Sequence, residues 1–219
     1  MAIDLSVYLV TDARQSATAG RALVDTVQEA VAGGVTTVQL RAKEAAAGDV
    51  LQLAEEIARR VPDRTALLVN DRVDVYLAAR ARGVRVAGVH VGQRDLPAAT
   101  VRDLVGPDAV VGVSASTPEQ VAAARSDAVR ADYVGIGAVH PTSSKPDAPP
   151  VLGVAAAGRL AAASALPAVA IGGVTPDDLP ALRAAGFAGA AVVSWICAAP
   201  DARAAAAELA RAWARGERR

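Results

Sequence analysis

Short apolar runs alternate with longer amphipathic stretches along the whole chain. The short runs are rich in β-branched residues and predict strands over residues 6–11, 36–41, 66–69, 85–89, 109–113, 132–136, 167–171 and 189–193. Between them, apolar residues return at helical spacing. Leu23, Val27 and Val31 follow one another every fourth residue, Val50, Ala54, Ile57 and Val61 share a face, and Leu209 and Trp213 stripe the last segment. The Ala-rich stretch 155–165 also reads as helix. Strands that alternate with helices predict a parallel sheet. Eight such units in 219 residues predict closure of that sheet into an α/β fold, the (β/α)8 TIM barrel, with residues 1–219 forming a single catalytic domain. A doubly wound open sheet is the competing architecture, and the number of units favours the barrel.

In such a barrel the chemistry gathers at the C-terminal ends of the strands, so the residues there carry the functional reading. The second strand ends Gln39-Leu40-Arg41-Ala42-Lys43. Residues two apart share a face of an extended chain, which turns Gln39, Arg41 and Lys43 together into the barrel mouth. An amide, a guanidinium and an ammonium in a concave site suit a phosphate or pyrophosphate; a solvated strand end with two surface cations is the plainer alternative. The third strand stops at Asn70-Asp71 and the fourth runs on to Asp95. Strands lie about 4.8 Å apart, so these carboxylates can share one cation, and two carboxylates completed by phosphate oxygens suit Mg²⁺. Each Asp also fits a helix N-cap, and Asp95 before Leu96-Pro97 fits it well.

The sixth strand opens into a Pro-rich loop over 141–150 that carries Thr142, Ser143, Ser144 and Lys145. Its length suits a ligand loop or lid, and its hydroxyls and single ammonium suit phosphate. After the seventh strand, Gly172-Gly173 lets the backbone approach a ligand closely, and Thr175 followed by Pro176 and two acids reads as a helix start. The eighth strand ends Val192-Val193-Ser194. Loops seven and eight of a barrel often bind phosphate through backbone N–H groups, which predicts a second phosphate site. Ser114, at the end of strand five, lacks the His and Asp pattern of a hydrolytic triad and reads as a hydrogen-bonding residue. His90 either touches ligand or is a buried histidine satisfied by backbone.

Composition narrows the field. The 23 basic and 23 acidic residues cancel, which gives no electrostatic reason to bind nucleic acid or an acidic membrane surface. Cys197 is the single cysteine, so disulfide frameworks and Cys-rich zinc sites are excluded. No apolar run approaches a membrane span and no secretory signal opens the chain, so a soluble cytoplasmic protein is expected. Residues 7–10 and the final helix are candidate contacts of a homodimer.

Read in order, QLRAK, NDRVD, GVHVGQRD, GVS, YVGIGAVHPTSSKPDAP, IGGVTPDDL and VVS resemble the thiamine-phosphate synthase family, from about Val7 to Ser194. The resemblance implies an enzyme that joins 4-amino-2-methyl-5-(diphosphooxymethyl)pyrimidine to a thiazole phosphate, carboxylated or not, and releases pyrophosphate. It implies that Gln39, Arg41, Lys43, Asn70, Ser114 and Lys145 meet the pyrimidine substrate, that Asp71 and Asp95 hold Mg²⁺, and that Thr142, Ser143, Ser144, Gly173, Val193 and Ser194 take the thiazole phosphate. Arg41, Lys43 and Lys145 are then the catalytic cations that stabilise the departing pyrophosphate. Two departures stand out: the chain has Thr142-Ser143-Ser144-Lys145 where the family often has Thr-x-Thr-Lys, and Ala115-Ser116 where many relatives have Thr-His. The rivals are a thiazole tautomerase on the same fold, which needs neither the aspartates nor the cationic cluster, and a non-catalytic barrel that binds a phosphorylated ligand.

Overall fold

The computed structural model describes residues 3–126, 128–142, 144 and 150–216. Eight parallel strands close into a barrel in sequence order: β1 Val7–Val10, β2 Thr37–Leu40, β3 Ala66–Asn70, β4 Gly88–Val91, β5 Val110–Ala115, β6 Tyr133–Ile136, β7 Ala168–Ile171 and β8 Gly189–Val192. The helices form the outer ring: α1 Ala13–Thr18, α2 Leu23–Ala32, α3 Ala47–Arg60, α4 Val73–Ala81, α5 Ala98–Val105, α6 Pro118–Ala124, α7 Gly153–Ser164, α8 Leu179–Ala184, α9 Ser194–Cys197 and α10 Ala202–Arg215. β1 pairs with both β2 and β8, which seals the barrel and excludes the open sheet.

The predicted helical stripes are the buried faces. Leu23, Val27 and Val31 on α2, Val50, Ala54 and Ile57 on α3, and Leu209 and Trp213 on α10 all pack into the core between strands and helices. Seven strands begin and end within two residues of their expected bounds. The fourth does not: Val84-Arg85-Val86 alternates like a strand, yet pairing starts only at Leu68–Gly88. The Arg85 guanidinium explains the shift. It donates to the Ala58 carbonyl at 2.7 Å and the Val61 carbonyl at 2.9 Å, which ties this segment to the end of α3 as a connection. His90 and Val91 are therefore strand residues.

The barrel interior is filled separately by Leu5, Tyr8, Val10, Leu68, Val110, Tyr133, Val169 and Ala191. Two of the chain's six aromatic residues thus lie inside the barrel. Gly112 makes that possible, because a Cβ there would meet Tyr133 Cζ at 2.2 Å. The opposite end, below the strand N-termini, is held by Arg102. Its buried guanidinium donates to the carbonyls of Gly106 (3.0 Å), Ala109 (2.7 Å) and Arg130 (2.8 Å) and to Asp132 Oδ2 (2.7 Å).

Two expectations change here. Val7–Val10 is a buried barrel strand, so it is not available as a dimer contact. The aspartates are not helix caps either: α4 is preceded by Arg72 and α5 by Pro97. Among the described residues no helix is long and apolar enough to cross a membrane.

Candidate active site

A cavity of about 630 Å³ opens at the C-terminal ends of the strands. Gln39, Arg41, Lys43, Asn70, Asp71, Asp95, Ser114, Thr142, Ser144, Gly173, Val193 and Ser194 all line it. Ser143 and Lys145 lie outside the described residues. Residues separated by more than 150 positions in the chain thus share one concave surface, as the strand-end reading requires.

The alternation along β2 brings its polar residues to the mouth. Leu40 is fully buried on the outer face of the strand, while Gln39 faces the interior and Arg41 and Lys43 follow it into the cavity. Lys43 Nζ lies 3.4 Å from Asp71 Oδ2. Asp71 sits immediately after β3 with φ of 61°, and its N–H donates to the His90 carbonyl at 2.8 Å. Left-handed backbone is tolerated by Asp and Asn better than by most residues, and strain of this kind collects at functional sites.

Asp95 returns to the same place by a different route. After β4 the chain turns back, and Asp95 Oδ2 accepts the Gly92 N–H at 2.9 Å. Burial raises the Asp71 carboxyl above its usual value, the neighbouring Asp95 carboxylate raises it further, and Lys43 opposes the rise. A buried carboxylate raised by a neighbouring one is relieved when a divalent cation sits between them. Among the described residues there is no cluster of three or more His, Cys, Asp or Glu side chains that could hold a metal. Two carboxylates suit an ion that takes its remaining ligands from phosphate and water, as Mg²⁺ does.

The far rim is built from loops six to eight. His140 Nε2 lies 2.9 Å from Asp178 Oδ1, joining the start of the Pro-rich loop to the loop after β7. Asp178 Oδ2 also accepts the Thr175 N–H at 2.9 Å, so the expected helix start is present as a capping box with Pro176 in the first turn. Although burial works against it, hydrogen bonds from Thr175 and His140 hold the Asp178 carboxyl below its usual value. Gly173 has φ of 65°, and a Cβ on it would lie 2.7 Å from the Pro141 carbonyl oxygen, so only glycine lets these two loops touch.

Several residues of the site carry no local sequence signal. Under the cavity floor, Gln39 Nε2 donates to Tyr8 Oη at 2.6 Å, and the Tyr8 and Tyr133 hydroxyls are 2.7 Å apart. His90 Nδ1 then lies 2.8 Å from Tyr133 Oη, and His90 Nε2 lies 2.9 Å from Ser114 Oγ. His90 is thus engaged by side chains on both ring nitrogens, an arrangement that neither earlier reading of it anticipated. Gln120 lines the wall, its Oε1 accepting the Ser116 N–H at 2.7 Å. Trp195 also lines the cavity, with a buried indole N–H that has no partner among the described residues.

Comparison with known proteins decides the family. The model of the family described as "Thiamine monophosphate synthase" matches residues 7–196, nearly the whole barrel. The chain belongs to the thiamine monophosphate synthase family. It is 46% identical to the thiamine-phosphate synthase of Corynebacterium efficiens over 82% of this chain and 83% of that one. It is 45% identical to the thiamine-phosphate synthase of Azorhizobium caulinodans over 94% and 93% of the two chains. Among solved structures, thiamine phosphate pyrophosphorylase from Pyrococcus furiosus superposes with a TM-score of 0.84 at 29% identity, covering 97% of each chain. In this member of the thiamine monophosphate synthase family, the cationic strand end and the aspartate pair occupy one side of the cavity and the hydroxyl and glycine loops the other.

Proposed function

We propose that the chain acts as one catalytic barrel that condenses 4-amino-2-methyl-5-(diphosphooxymethyl)pyrimidine with a thiazole phosphate, carboxylated or not, to give thiamine phosphate and pyrophosphate. Membership of the family makes it a transferase of thiamine biosynthesis. The observation that carries the particular reading is the meeting of Asp71 and Asp95 beside Arg41 and Lys43, across one cavity from Thr142, Ser144 and Gly173. Two differently built anion-binding rims suit two phosphorylated substrates.

Asp71 and Asp95 would hold Mg²⁺, which when bound supplies positive charge against the pyrophosphate. Arg41, Lys43 and Lys145 donate to its oxygens, Asn70 and Gln39 orient the pyrimidine, and Ser114 contacts it. The C–O bond to pyrophosphate breaks while the pyrimidine amino group feeds electrons to the exocyclic methylene. The thiazole nitrogen then forms the new C–N bond, its phosphate anchored by Thr142, Ser143, Ser144, Gly173, Val193 and Ser194. Charge placed in advance where it develops is the usual source of such rate enhancement, and two anchored substrates remove the entropy cost of encounter. No protein nucleophile takes part. The Cys197 thiol is buried, and that burial raises it away from the reactive thiolate.

The deciding assay mixes purified protein, both substrates and Mg²⁺ and looks for thiamine phosphate and pyrophosphate. A tautomerase or a binding-only barrel forms neither, and that result rejects the proposal. Ser114→Ala is expected to keep turnover, with a roughly two- to twelvefold loss from one missing hydrogen bond. Mass spectrometry of the reacting enzyme should find Ser114 unmodified; a covalent adduct there overturns its binding role. A soluble cytoplasmic enzyme and a homodimer complete the proposal, and sedimentation measures the second directly.

A further inference from the structure

The hydrogen-bond chain beneath the cavity has a direction. Gln39 Nε2 has protons to give and no lone pair, so Tyr8 Oη must accept from it. Tyr8 has one proton of its own, and the hydroxyl 2.7 Å away on Tyr133 is where it is used. Were Tyr133 to donate to Tyr8 instead, the Tyr8 proton would be left buried with its neighbours already donating, a desolvated donor of the kind native structures avoid. Tyr133 therefore accepts from Tyr8 and gives its own proton to His90 Nδ1. Burial keeps both phenols protonated, since it raises Tyr8 and Tyr133 above the ordinary phenol range. With Nδ1 an acceptor, the neutral imidazole carries its proton on Nε2 and donates to Ser114 Oγ at 2.9 Å.

We propose that Gln39, Tyr8, Tyr133 and His90 form a one-way relay that keeps the Ser114 proton from being used on His90 and leaves it to donate into the cavity, so that Ser114 recognises an acceptor atom of the pyrimidine substrate. The acceptor is a ring nitrogen or a phosphate oxygen, reached by the Ser114 proton that His90 does not take up. Tyr133 and His90 are positioning residues in this relay: almost fully buried, they act through the Ser114 hydroxyl. The identity of the substrate rests on the function proposed above, whereas the direction of the relay belongs to the free protein.

Two measurements test this. The chain has two histidines, so ¹⁵N-histidine NMR of the free protein, with His140→Asn to assign the signals, reads the His90 tautomer directly. A neutral ring protonated on Nε2 is expected at mildly alkaline pH. A ring protonated on Nδ1, or an even mixture, overturns the relay whatever the enzyme's substrates prove to be. The second is a double-mutant cycle between Tyr133→Phe and Ser114→Ala, read as KM for the pyrimidine substrate. Tyr133→Phe alone should raise that KM roughly two- to tenfold and leave the KM for the thiazole phosphate in place. In the Ser114→Ala background it should add nothing. An equal penalty in both backgrounds would mean that Tyr133 serves packing alone, and would reject the positioning role. If no coupling reaction occurs with these substrates, the functional reading fails while the tautomer result still decides the relay.

Discussion

Asp71→Asn and Asp95→Asn should each lower kcat/KM by on the order of 10²–10³, the loss typical of removing one preorganised electrostatic partner from an active site. Asparagine is the informative substitution at both positions. At residue 71 it accepts the left-handed backbone (φ of 61°) almost as readily as aspartate does, so the local fold survives. At residue 95 its amide oxygen can still take the Gly92 N–H that Asp95 Oδ2 accepts at 2.9 Å. What each substitution removes is charge, at a place where burial and the opposing carboxylate already hold Asp71 above its usual range. The requirement for Mg²⁺ should therefore shift to higher concentration in both variants, and wild-type protein in excess chelator should lose turnover. Steady-state rates across a Mg²⁺ titration check all three expectations. Full activity of both variants at low Mg²⁺ removes the metal assignment.

Arg102→Ala should cost about 3 kcal/mol of stability, the lower end of what breaking a buried ion pair costs. The lower end applies because its partner Asp132 is half exposed, whereas Arg102 itself is 4% exposed. The guanidinium serves three carbonyls and one carboxylate at the N-terminal ends of the strands, and all four lose their donor at once. For a chain of this size the loss corresponds to a fall in Tm of roughly 6–12 °C, which calorimetry or thermal circular dichroism measures. Because Arg102 sits at the end of the barrel away from the cavity, the folded fraction should retain its kcat/KM. A Tm within about 2 °C of wild type would mean that water replaces the guanidinium without loss.

The barrel was largely legible in the chain itself. Hydrophobic period separates a strand from a helix because backbone geometry sets which side chains share a face, and Val27, Ile57 and Leu209 declare their buried faces by that rule alone. The placement of the strand-end residues was legible for the same reason: two-residue alternation turns Gln39 inward with Leu40 outward, and the strand-end residues marked in the sequence that are described line the cavity. Local patterning failed at Val84-Arg85-Val86, where a strand-like alternation yields to an arginine that reaches the carbonyls of a different element.

Whether Asp95 caps a helix or joins Asp71 depends on how the turn after β4 folds back, and only the tertiary structure places its carboxylate on Gly92 and beside its partner. The Tyr8–Tyr133–His90–Ser114 chain was invisible for a related reason, since its members lie on four strands up to 125 residues apart and no local pattern links them. Periodicity reports which face a residue presents, a property of its own segment. A hydrogen bond reports which segments closure of the barrel brings together, so the sequence by itself determined the barrel and the residues that face its mouth, and the tertiary structure decided which of them meet.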